Sequence, residues 1–290
     1  MAYLVCDNIE YLYGAGTPFE TFAIKGVSTQ LDKNELVGII GHTGSGKSTL
    51  IQHFNALLEP NNGKVIVDGN DIWAKENKKN IRNVRFLVGL CFQYPEYQIF
   101  EETVYSEIAY GPKQMGLDEN EIDRRVRESM DFVGMDFETY SKRSPFDMSG
   151  GQKRRVAIAS IIAMEPEVLV LDEPCAGLDP NGRERVLSLI KNYQKSKGNS
   201  VVLVSHSMED VAKICSRVIV MNKGEIAYSG SVSEVYSHSK ELKEMGLNVP
   251  QVTEIFLKLK EKGVDCSTDI YTVEQGVEQL KKLLGETSYD

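Results

Sequence analysis

A glycine-rich loop near the start of the chain has the composition of a phosphate-binding site. It fits the pattern G-x-x-x-x-G-K-[ST] and consists of Gly41, His42, Thr43, Gly44, Ser45, Gly46, Lys47, Ser48 and Thr49. The glycines let backbone N–H groups approach phosphate oxygens closely, and Lys47 supplies a positive charge for the β and γ phosphates. The Ser48 hydroxyl can ligate Mg²⁺, and Thr49 can add a hydrogen bond to a phosphate. The loop therefore predicts a nucleotide site that uses Mg²⁺.

Two acidic residues follow a buried-strand pattern later in the chain. Asp172 and Glu173 come directly after the apolar run at residues 168–171. Open α/β sheets bind ligands at the carboxyl ends of their strands, where this pair would lie. Asp172 is suited to hold Mg²⁺, directly or through water. Glu173 is suited to orient the attacking water, because phosphoryl transfer depends mainly on positioning and charge compensation.

Two further polar residues end strand-like segments and extend the predicted catalytic group. His206 follows the apolar run 201–204, so it falls on the same sheet edge as Asp172, and its imidazole can contact the γ-phosphate. Gln93 follows the strand-like residues 88–92 and can respond to Mg²⁺ and to the attacking water through its amide. The candidate catalytic residues are Glu173, His206 and Gln93, and the candidate magnesium ligands are Ser48, Gln93 and Asp172.

A second glycine motif indicates that the nucleotide is used at an interface between chains. Ser149, Gly150, Gly151 and Gln152 begin a helical pattern well after the first loop. We call these four residues the signature. The exposed N–H groups at a helix start attract phosphate, but this helix start has an obvious use only if it faces a nucleotide held by another chain. The sequence therefore predicts one half of an ATP-driven machine.

The composition of the chain argues against several classes of protein. A net charge of −9 and a pI near 5.2, with no basic stripe, argue against a free-standing nucleic-acid binder. The five cysteines are scattered without a CxxC pair, which indicates neither a disulfide framework nor a zinc site and favours a reducing, cytosolic setting. No run approaches the roughly 18 apolar residues of a membrane-spanning helix, and the amino terminus lacks signal-peptide features. Any membrane role is expected to come through a partner.

Alternating strand and helix patterns predict an α/β fold. Short β-rich segments such as Leu36–Ile40 alternate with helical patterns such as residues 47–58, and continuous apolar runs are typical of buried parallel strands. Residues 64–69 instead predict part of an antiparallel hairpin that ends in an Asp-Gly turn. We expect a P-loop ATPase with a mixed sheet core, an antiparallel β subdomain, an inserted helical subdomain and a carboxyl-terminal helical extension.

Changes along the sequence suggest the domain boundaries. An ATPase domain is expected over residues 1–237, with a helical subdomain at about 96–165, where strand signals fade and Asp118 is placed to cap a helix. Residues 238–290 form the predicted extension, which carries two amphipathic helices. Their apolar residues are Val252, Ile255, Phe256 and Leu259 in the first and Val273, Val277, Leu280 and Leu284 in the second. These stripes must be covered either by their own domain or by a neighbouring subunit.

Taken in chain order, these motifs resemble the nucleotide-binding subunit of ABC transporters over about four fifths of the chain. The resemblance implies that residues 41–49 are the Walker A loop, Gln93 the Q-loop, residues 149–152 the signature, Asp172 and Glu173 the Walker B pair, Asp179 the D-loop and His206 the switch histidine. In that family two subunits hold two ATP molecules head to tail, and the signature of one chain completes the P-loop site of the other. An amino-terminal aromatic residue stacks on adenine there. Tyr13 is expected in that role, with Tyr11 as the alternative.

Three segments narrow the resemblance to the ATPases of energy-coupling factor (ECF) transporters, namely residues 41–47, 92–104 and 163–168. They look most like the second of the two paired ATPases, often called A-prime. The resemblance implies an importer of vitamins or transition-metal ions at the cytoplasmic face of the cell membrane. Such an assembly contains two ATPases as a heterodimer, a transmembrane T component and a membrane substrate-binding S component. It also implies that the extension holds the ATPases together and that residues 94–111, the coupling segment, receive helices of the T component.

Two other functions are compatible with the motifs. The first is the ATPase of another ABC importer, such as a cobalt or amino-acid system with a homodimeric ATPase pair. The second is a soluble mechanical ABC ATPase that acts on DNA or ribosomes. That class typically has long coiled-coil insertions or tandem ATPase domains, and this sequence has neither. The ECF importer is therefore the leading hypothesis, and the sequence does not identify the substrate.

Overall fold

The computed structural model describes residues 2–285, whose strands form two β-sheets. Residue 1 of the predicted ATPase domain and residues 286–290 of the predicted extension lie outside the described residues. The strands are β1 (Ala2–Tyr13), β2 (Thr21–Asp32), β3 (Leu36–Ile40), β4 (Asn62–Val67), β5 (Asn70–Asp71), β6 (Val88–Cys91), β7 (Val168–Asp172), β8 (Ser200–Val204), β9 (Arg217–Asn222) and β10 (Glu225–Ser231). One sheet has the order β2-β1-β4-β5, and the other has the order β10-β9-β3-β8-β7-β6.

Helices connect most of these strands and form the carboxyl-terminal part of the described chain. They are α1 (Lys47–Phe54), α2 (Ile81–Leu87), α3 (Val104–Gln114), α4 (Glu119–Phe132), α5 (Phe137–Tyr140), α6 (Gly150–Ile162), α7 (Pro180–Lys197), α8 (Met208–Ile214), α9 (Val232–Ser237), α10 (Ser239–Glu244), α11 (Gln251–Glu261) and α12 (Val273–Leu284). Short 3-10 turns occur at Lys78–Asn80, Pro95–Tyr97 and Pro145–Asp147. Over residues 2–285, no helix combines the length and the apolar character needed to cross a membrane.

The six-stranded sheet is parallel except at one edge, where β10 pairs antiparallel with β9. Every residue of β3, β7 and β8 is buried. Strands buried on both faces need apolar side chains at successive positions rather than at alternate ones, which explains the continuous apolar runs in the sequence. The predicted α/β fold with a buried parallel sheet is confirmed.

The other sheet is antiparallel and contains the predicted hairpin. Val67 of β4 pairs with Asn70 of β5, so that Asp68 and Gly69 form a two-residue turn. Both turn residues have positive φ, 49° and 76° respectively, as a type I′ turn requires. The prediction of an Asp-Gly turn at this place is therefore confirmed.

The helix after the glycine-rich loop is shorter than the sequence predicts. The pattern predicts a helix over residues 47–58, whereas α1 ends at Phe54. Ala56 has a left-handed backbone with φ 55°, and the buried Asn55 side chain donates a hydrogen bond to the carbonyl oxygen of Val88 in β6. This tertiary contact and the change of backbone conformation end the helix there, and local helix propensity does not reveal them.

The stretch between β6 and β7 contains the four helices α3 to α6. Asp118 caps α4, since its carboxylate accepts two backbone N–H hydrogen bonds in the first turn, at 3.0 and 3.1 Å. Ile122, Val126 and Met130 are buried at helical spacing on this helix. The predicted cap and apolar face are confirmed, and the division of the chain into subdomains remains a prediction.

The extension contains α10 and the two predicted amphipathic helices, α11 and α12, which differ in how their apolar faces are covered. Phe256 of α11 is buried in a small cluster with Cys266 and Ile270. Gly276 of α12 lies so close to α11 that an added Cβ would be 2.5 Å from a methyl group of Val252. The remaining apolar residues of α12 are exposed, namely Val273, Val277, Leu280, Leu283 and Leu284. Within the described part of the chain, this face of α12 is uncovered.

We expect Gly276→Leu to displace α12 from α11, because the added side chain would collide with Val252. The local stability of the extension should fall by about 1–3 kcal/mol, which is the usual cost of overpacking. Hydrogen exchange should accelerate in α12 and stay unchanged in α1. Lys281→Leu adds the same side chain at an exposed position of the same helix and should leave α12 protected. Parental exchange rates in Gly276→Leu would contradict this packing.

Candidate nucleotide site

The glycine-rich loop, residues 41–49, leads from β3 into α1. Gly46 has φ 103°, and a Cβ at this position would lie 2.6 Å from the carbonyl oxygen of Ala23. Only glycine fits such a conformation at such close approach. Ser45 is buried, and its Oγ has no hydrogen-bond partner among residues 2–285. A buried hydroxyl with unused hydrogen-bonding capacity fits a site for phosphate oxygens.

Lys47 is buried at the start of α1, and the loop itself holds its ammonium group. Its Nζ donates hydrogen bonds to the carbonyl oxygens of Gly41 at 2.7 Å and of His42 at 3.0 Å. Burial lowers the pKa of Lys47, and the carboxylates of Glu173 and Asp172 act in the opposite direction. A positive charge beside a helix start is the arrangement that binds the phosphates of a nucleotide.

The tip of the loop is anchored through His42. Its Nδ1 lies 2.7 Å from the carbonyl oxygen of Thr43, and its Nε2 lies 3.2 Å from Oδ1 of Asn222, the last residue of β9. Thr43 and Gly44 are exposed at the tip, where their backbone is open to a ligand. The side chain of Asn222 is a support for the loop that the sequence pattern did not indicate.

Ser48 and Asp172 meet where α1 faces the end of β7. The Ser48 hydroxyl donates a hydrogen bond to Oδ2 of Asp172 at 3.0 Å. Burial raises the pKa of Asp172, and the Ser48 hydrogen bond and the charges of Lys47 and His206 oppose this. A hydroxyl and a carboxylate oxygen so close together fit the oxygen ligands that Mg²⁺ prefers. The third predicted ligand, Gln93, lies exposed just beyond β6, without a hydrogen bond to either residue.

Glu173 and His206 lie against each other beside Asp172. Glu173 Oε1 is 3.3 Å from His206 Nε2, and the Glu173 side chain is 13% exposed whereas that of His206 is 50% exposed. The Glu173 backbone N–H donates to the carbonyl oxygen of Val204 at 3.0 Å. Burial, with the neighbouring Asp172, raises the pKa of Glu173 to about 7, and burial, with the charge of Lys47, lowers the pKa of His206. Glu173 is therefore suited to exchange a proton with water near neutral pH.

The signature forms the start of α6. The Ser149 hydroxyl accepts a hydrogen bond from the Gln152 N–H at 3.3 Å, and Gln152 Oε1 accepts one from the Ser149 N–H at 3.0 Å. This reciprocal capping box uses one N–H of the first turn and one of the cap. Gly150 and Gly151 are exposed, with no atom within 4 Å of an added Cβ. Their surface is therefore open to a neighbouring molecule.

Asp179 lies with the signature rather than with the glycine-rich loop. It caps α7, because its Oδ1 accepts a hydrogen bond from the Gly182 N–H at 2.7 Å. One cavity, of about 530 Å³, is lined in part by Ser149, Gly151, Gln152, Gly177, Leu178 and Asp179. A different cavity, of about 560 Å³, is lined in part by His42, Thr43 and His206. The structure thus brings the loop, Asp172, Glu173 and His206 together, and it groups the signature and Asp179 elsewhere.

Tyr13, the residue predicted to stack on adenine, lies at the end of β1 beside α1. Its hydroxyl is 3.3 Å from Thr49 Oγ1, and the residue is 43% exposed. Tyr11, the alternative, is less exposed, and its ring packs edge-on against Tyr13 and His53 at centroid distances of 4.8 and 5.0 Å. The greater exposure favours Tyr13 as the aromatic residue that a nucleotide base can reach.

The structure also reveals a contact that the sequence pattern did not indicate. Arg183 Nε donates to Oδ1 of Asp210 at 2.6 Å, and its guanidinium also donates to the Ser207 hydroxyl. Burial raises the pKa of Asp210, and its hydrogen bond from Arg183 opposes this. Arg183 thus ties α7, which begins after Asp179, to Asp210 of α8 and to Ser207, the residue that follows His206. Arg183 and Asp210 are 27 residues apart in the sequence, so no local spacing predicts their contact.

Comparison with known families identifies the group to which this nucleotide site belongs. A family model described as ABC transporter matches residues 24–176, a stretch that includes the glycine-rich loop, the signature and the Asp172–Glu173 pair. This chain belongs to the ABC transporter family. Asp179, the cap of α7, and His206, which follows β8, lie beyond the matched stretch.

Similar ABC proteins cover nearly the whole chain. The energy-coupling factor transporter ATP-binding protein EcfA2 of Clostridium perfringens is 52% identical over 96% of this chain and 97% of its own length. The EcfA2 protein of Enterococcus faecalis is 44% identical, with 96% of each chain covered. Among solved structures, cbiO1 of Clostridium perfringens, described as part of the ABC transporter complex cbiONQ, has a TM-score of 0.74 at 34% identity and covers 88% of this chain and 98% of its own.

A second solved structure is a dimeric ATP-binding cassette in a post-hydrolysis state with ADP and Pi, which has a TM-score of 0.70 at 25% identity and covers 79% of this chain and 98% of its own. Together these similarities confirm the predicted family and its ABC-type ATPase fold. They also confirm an energy-coupling ATPase that hydrolyses ATP in transport. The roles of individual residues remain predictions.

The raised pKa of Glu173 predicts a pH-dependent gain in stability for Glu173→Gln in the nucleotide-free protein. Near pH 4 the carboxyl group is mostly protonated in both the folded and the unfolded chain, so the substitution changes little. Between pH 4.5 and about pH 7, the Glu173 carboxyl group ionises in the unfolded chain but stays mostly protonated in the folded chain. The folded parent protein therefore becomes progressively less stable as the pH rises through this range. We therefore expect a gain of about 3 kcal/mol in the free energy of unfolding of Glu173→Gln at pH 8.

Denaturant unfolding at pH 4 and pH 8 measures this difference. Glu184→Gln is the matched control, because Glu184 is an exposed glutamate whose partner is Lys213. Its effect on stability should be small at both pH values. An effect of Glu173→Gln that is the same at pH 4 and pH 8 would contradict the burial-driven shift.

Proposed function

We propose that this chain is the A-prime-type ATPase of an energy-coupling factor importer for vitamins or transition-metal ions. The observation that carries the proposal is the separation of two phosphate-binding groups on one chain, the glycine-rich loop and the signature. The γ-phosphate of an ATP held by the loop needs hydrogen-bond donors on its open side. The exposed start of α6 offers such donors, but to a nucleotide on another chain. A head-to-tail pair of related ATPases uses both groups.

The similar proteins support an assembly of this kind. Proteins named energy-coupling factor transporter ATP-binding protein EcfA2 match nearly the full length, and cbiO1 is described as part of a transporter complex. The proposed partners are a second related ATPase as heterodimer, a transmembrane T component and a membrane substrate-binding S component, without nucleic acid. The proposed location is the cytoplasmic face of the cell membrane, as a peripheral subunit.

Binding of ATP uses the charged cradle around α1. Lys47 and the loop N–H groups neutralise the β and γ phosphates, and the adenine stacks on Tyr13. Ser48, Gln93 and Asp172 would hold Mg²⁺, which neutralises phosphate charge when it is bound. The hydrogen bond between Ser48 and Asp172 supports this assignment, because it already brings two oxygen ligands together.

Hydrolysis requires a water that is correctly oriented and can lose a proton. Glu173 orients that water and accepts its proton in the carboxylate form, and His206, mainly neutral because of its lowered pKa, contacts the γ-phosphate. Ser149 and the N–H groups of Gly150 and Gly151 donate to the nucleotide of the partner ATPase, while Asp179 crosses the interface. ATP binding closes the dimer, and hydrolysis with phosphate release reopens it.

The coupling segment, residues 94–111, is proposed to receive the membrane partner. Tyr94, Tyr97 and Phe100 are 40%, 84% and 58% exposed, and contiguous exposed apolar surface of this kind marks interaction sites. The buried carboxylate of Glu107 accepts N–H hydrogen bonds from Phe100 and Glu101 at 3.1 and 2.9 Å, which fixes the backbone beneath these aromatics. The segment therefore combines an exposed apolar surface with a fixed backbone.

The extension is proposed to strengthen the ATPase pair. The exposed apolar face of α12 supports a contact with the second ATPase, because a stripe of this kind is otherwise left in water. This agrees with the proposed division into an ATPase domain, residues 1–237, with its helical subdomain at about 96–165, and an extension that begins at residue 238.

We expect Glu173→Gln to keep ATP binding and to lower turnover by about 10²–10⁴-fold, the usual contribution of a positioned acid or base. The variant should accumulate closed, ATP-bound dimers, because hydrolysis no longer reopens them. ATP binding, steady-state hydrolysis and the mass of the ATP-bound complex measure the three properties. Glu184→Gln serves again as the control and should hydrolyse ATP at the parental rate. Parental turnover in Glu173→Gln would rule out the proposed role.

We expect Tyr97→Ser to weaken association with the transmembrane component at least tenfold, because it removes the most exposed aromatic side chain of the coupling segment. Co-purification from membranes at defined detergent and subunit concentrations measures the association. Phe19→Ser removes an equally exposed aromatic, because Phe19 is 85% exposed in the turn between β1 and β2, and it should not weaken the association. Equal retention of both variants would contradict the proposed coupling surface.

A second candidate is a homodimeric ATPase of another importer, such as a cobalt system. The similarity to cbiO1, part of the cbiONQ complex, is the observation that favours it. Native mass measurement after co-expression with a related ATPase separates the two candidates. The ECF proposal predicts a membrane assembly that contains one copy of each ATPase. A functional assembly that contains only copies of this chain would support the second candidate instead.

A further inference from the structure

One buried arginine connects the signature helix α6 to two loops, the coupling segment and the chain between Glu173 and Asp179. Arg154 lies on α6 shortly after the signature and is 3% exposed. Its Nε and Nη2 donate to the two carboxylate oxygens of Glu96 at 3.1 and 2.8 Å. Its Nη1 donates to the carbonyl oxygens of Pro174 at 3.2 Å and Ala176 at 2.7 Å. The same guanidinium thus binds the coupling segment on one side and the chain between Glu173 and Asp179 on the other.

A second contact joins the same two loops directly. The Tyr94 ring centre lies 5.9 Å from the Arg154 guanidinium carbon, and an added Cβ on Gly177 would be 3.8 Å from Tyr94 Cε1. Tyr94 follows Gln93 and has a left-handed backbone with φ 54°. The ring therefore lies beside the guanidinium and against the loop that precedes Asp179. Movement of either loop alone would disturb its hydrogen bonds with Arg154 and the approach of Tyr94 to Gly177.

The chemistry of this cluster demands an arginine. A guanidinium is planar and presents N–H groups in a fixed fork, so it can bind a carboxylate with two bonds while a third nitrogen reaches other acceptors. A lysine ammonium at this position cannot span the carboxylate and both carbonyls. Because Arg154 is buried and Glu96 is only 14% exposed, loss of the carboxylate leaves the guanidinium unsatisfied, which disrupts the site far more than loss of a surface pair. The cluster is therefore stiff as well as specific.

We propose that Arg154 is a positioning residue that makes the signature helix, the coupling segment and the loop before Asp179 move as one body. Displacement of the coupling segment by a membrane partner would then reach Ser149 and Asp179 together. The identity of that partner rests on the proposed function. The joint itself is a property of this chain, so the two claims are tested separately.

Hydrogen exchange on the full chain tests the joint. Two pairs of backbone amides serve as reporters. In the coupling segment, the N–H groups of Tyr97 and Gln98 donate hydrogen bonds to the carbonyl oxygens of Tyr94 and Pro95. In the loop before Asp179, those of Ala176 and Leu178 donate to the carbonyl oxygens of Glu173 and Cys175. In Arg154→Met, exchange should accelerate at least tenfold at both pairs of amides and stay unchanged in α1. Arg154→Lys keeps the charge without the fork and should accelerate both pairs by a smaller factor. Arg155→Met, on the same helix but bonded to Gly134 instead, is the matched control and should change neither.

Three outcomes would overturn the proposal. They are acceleration at only one pair of amides, parental exchange in Arg154→Lys, and an equal acceleration throughout α1 that indicates general unfolding. If Arg154→Met does not fold, Glu96→Gln provides the same test with a side chain of similar volume. Its expected result is acceleration at both pairs, and acceleration confined to the coupling segment would overturn the joint.

Kinetics of the assembled transporter separate positioning from simple stability. Arg154 lies outside the glycine-rich loop, so Arg154→Lys should lower kcat for ATP at least tenfold and leave KM for ATP unchanged, while Arg155→Met changes neither. A rise in KM with parental kcat would overturn the positioning role. If the parent ATPase pair hydrolyses ATP but has no membrane partner and drives no transport, the proposed function fails. The exchange experiment on the full chain still decides whether the joint exists.

Discussion

Three parallel strands, β3, β8 and β7, are paired so that their carboxyl ends are nearly level. Ile39 pairs with Val204, and Val204 pairs in turn with Asp172. This register places the glycine-rich loop, the acidic pair and His206 at one edge of the sheet. A shift of one residue in β7 would point Asp172 to the opposite face and break its hydrogen bond with Ser48. The nucleotide chemistry therefore depends on backbone pairing among three fully buried strands.

The electrostatics of the site follow from that burial. Lys47, Asp172 and Glu173 share a partly desolvated space, so the two carboxyl groups have raised pKa values and the ammonium has a lowered one. A polyanionic nucleotide with its cation changes this balance, which couples binding to protonation at Glu173. The signature, by contrast, lies on an exposed helix start and lines a different cavity from the glycine-rich loop. We propose that the two groups are complementary surfaces of a site that two chains complete.

The sequence predicts the features that arise from local spacing. Each of these features depends on a pattern within a few residues. They are the glycine-rich loop, the continuous apolar strands, the Asp68-Gly69 turn and the cap at Asp118. Long-range polar contacts have no such pattern, since the sequence alone does not show which arginine pairs with which carboxylate. For that reason the end of α1 at Phe54 and the pairing of Arg154 with Glu96 emerge only from the folded chain. Sequence patterns also identify the apolar stripe of α12 without telling what covers it.

We propose that each ATP is bound by the loop of one chain and the signature of another. An ATP analogue with a photoreactive group on its γ-phosphate tests it directly in the assembled ATPase pair. Labelled peptides of this chain should include both residues 41–49 and residues 149–152. Removal of the Walker A lysine from the other ATPase should abolish labelling at 149–152 and leave labelling at 41–49. Labelling of this chain at 41–49 alone, or at 149–152 regardless of the partner's lysine, would contradict the account.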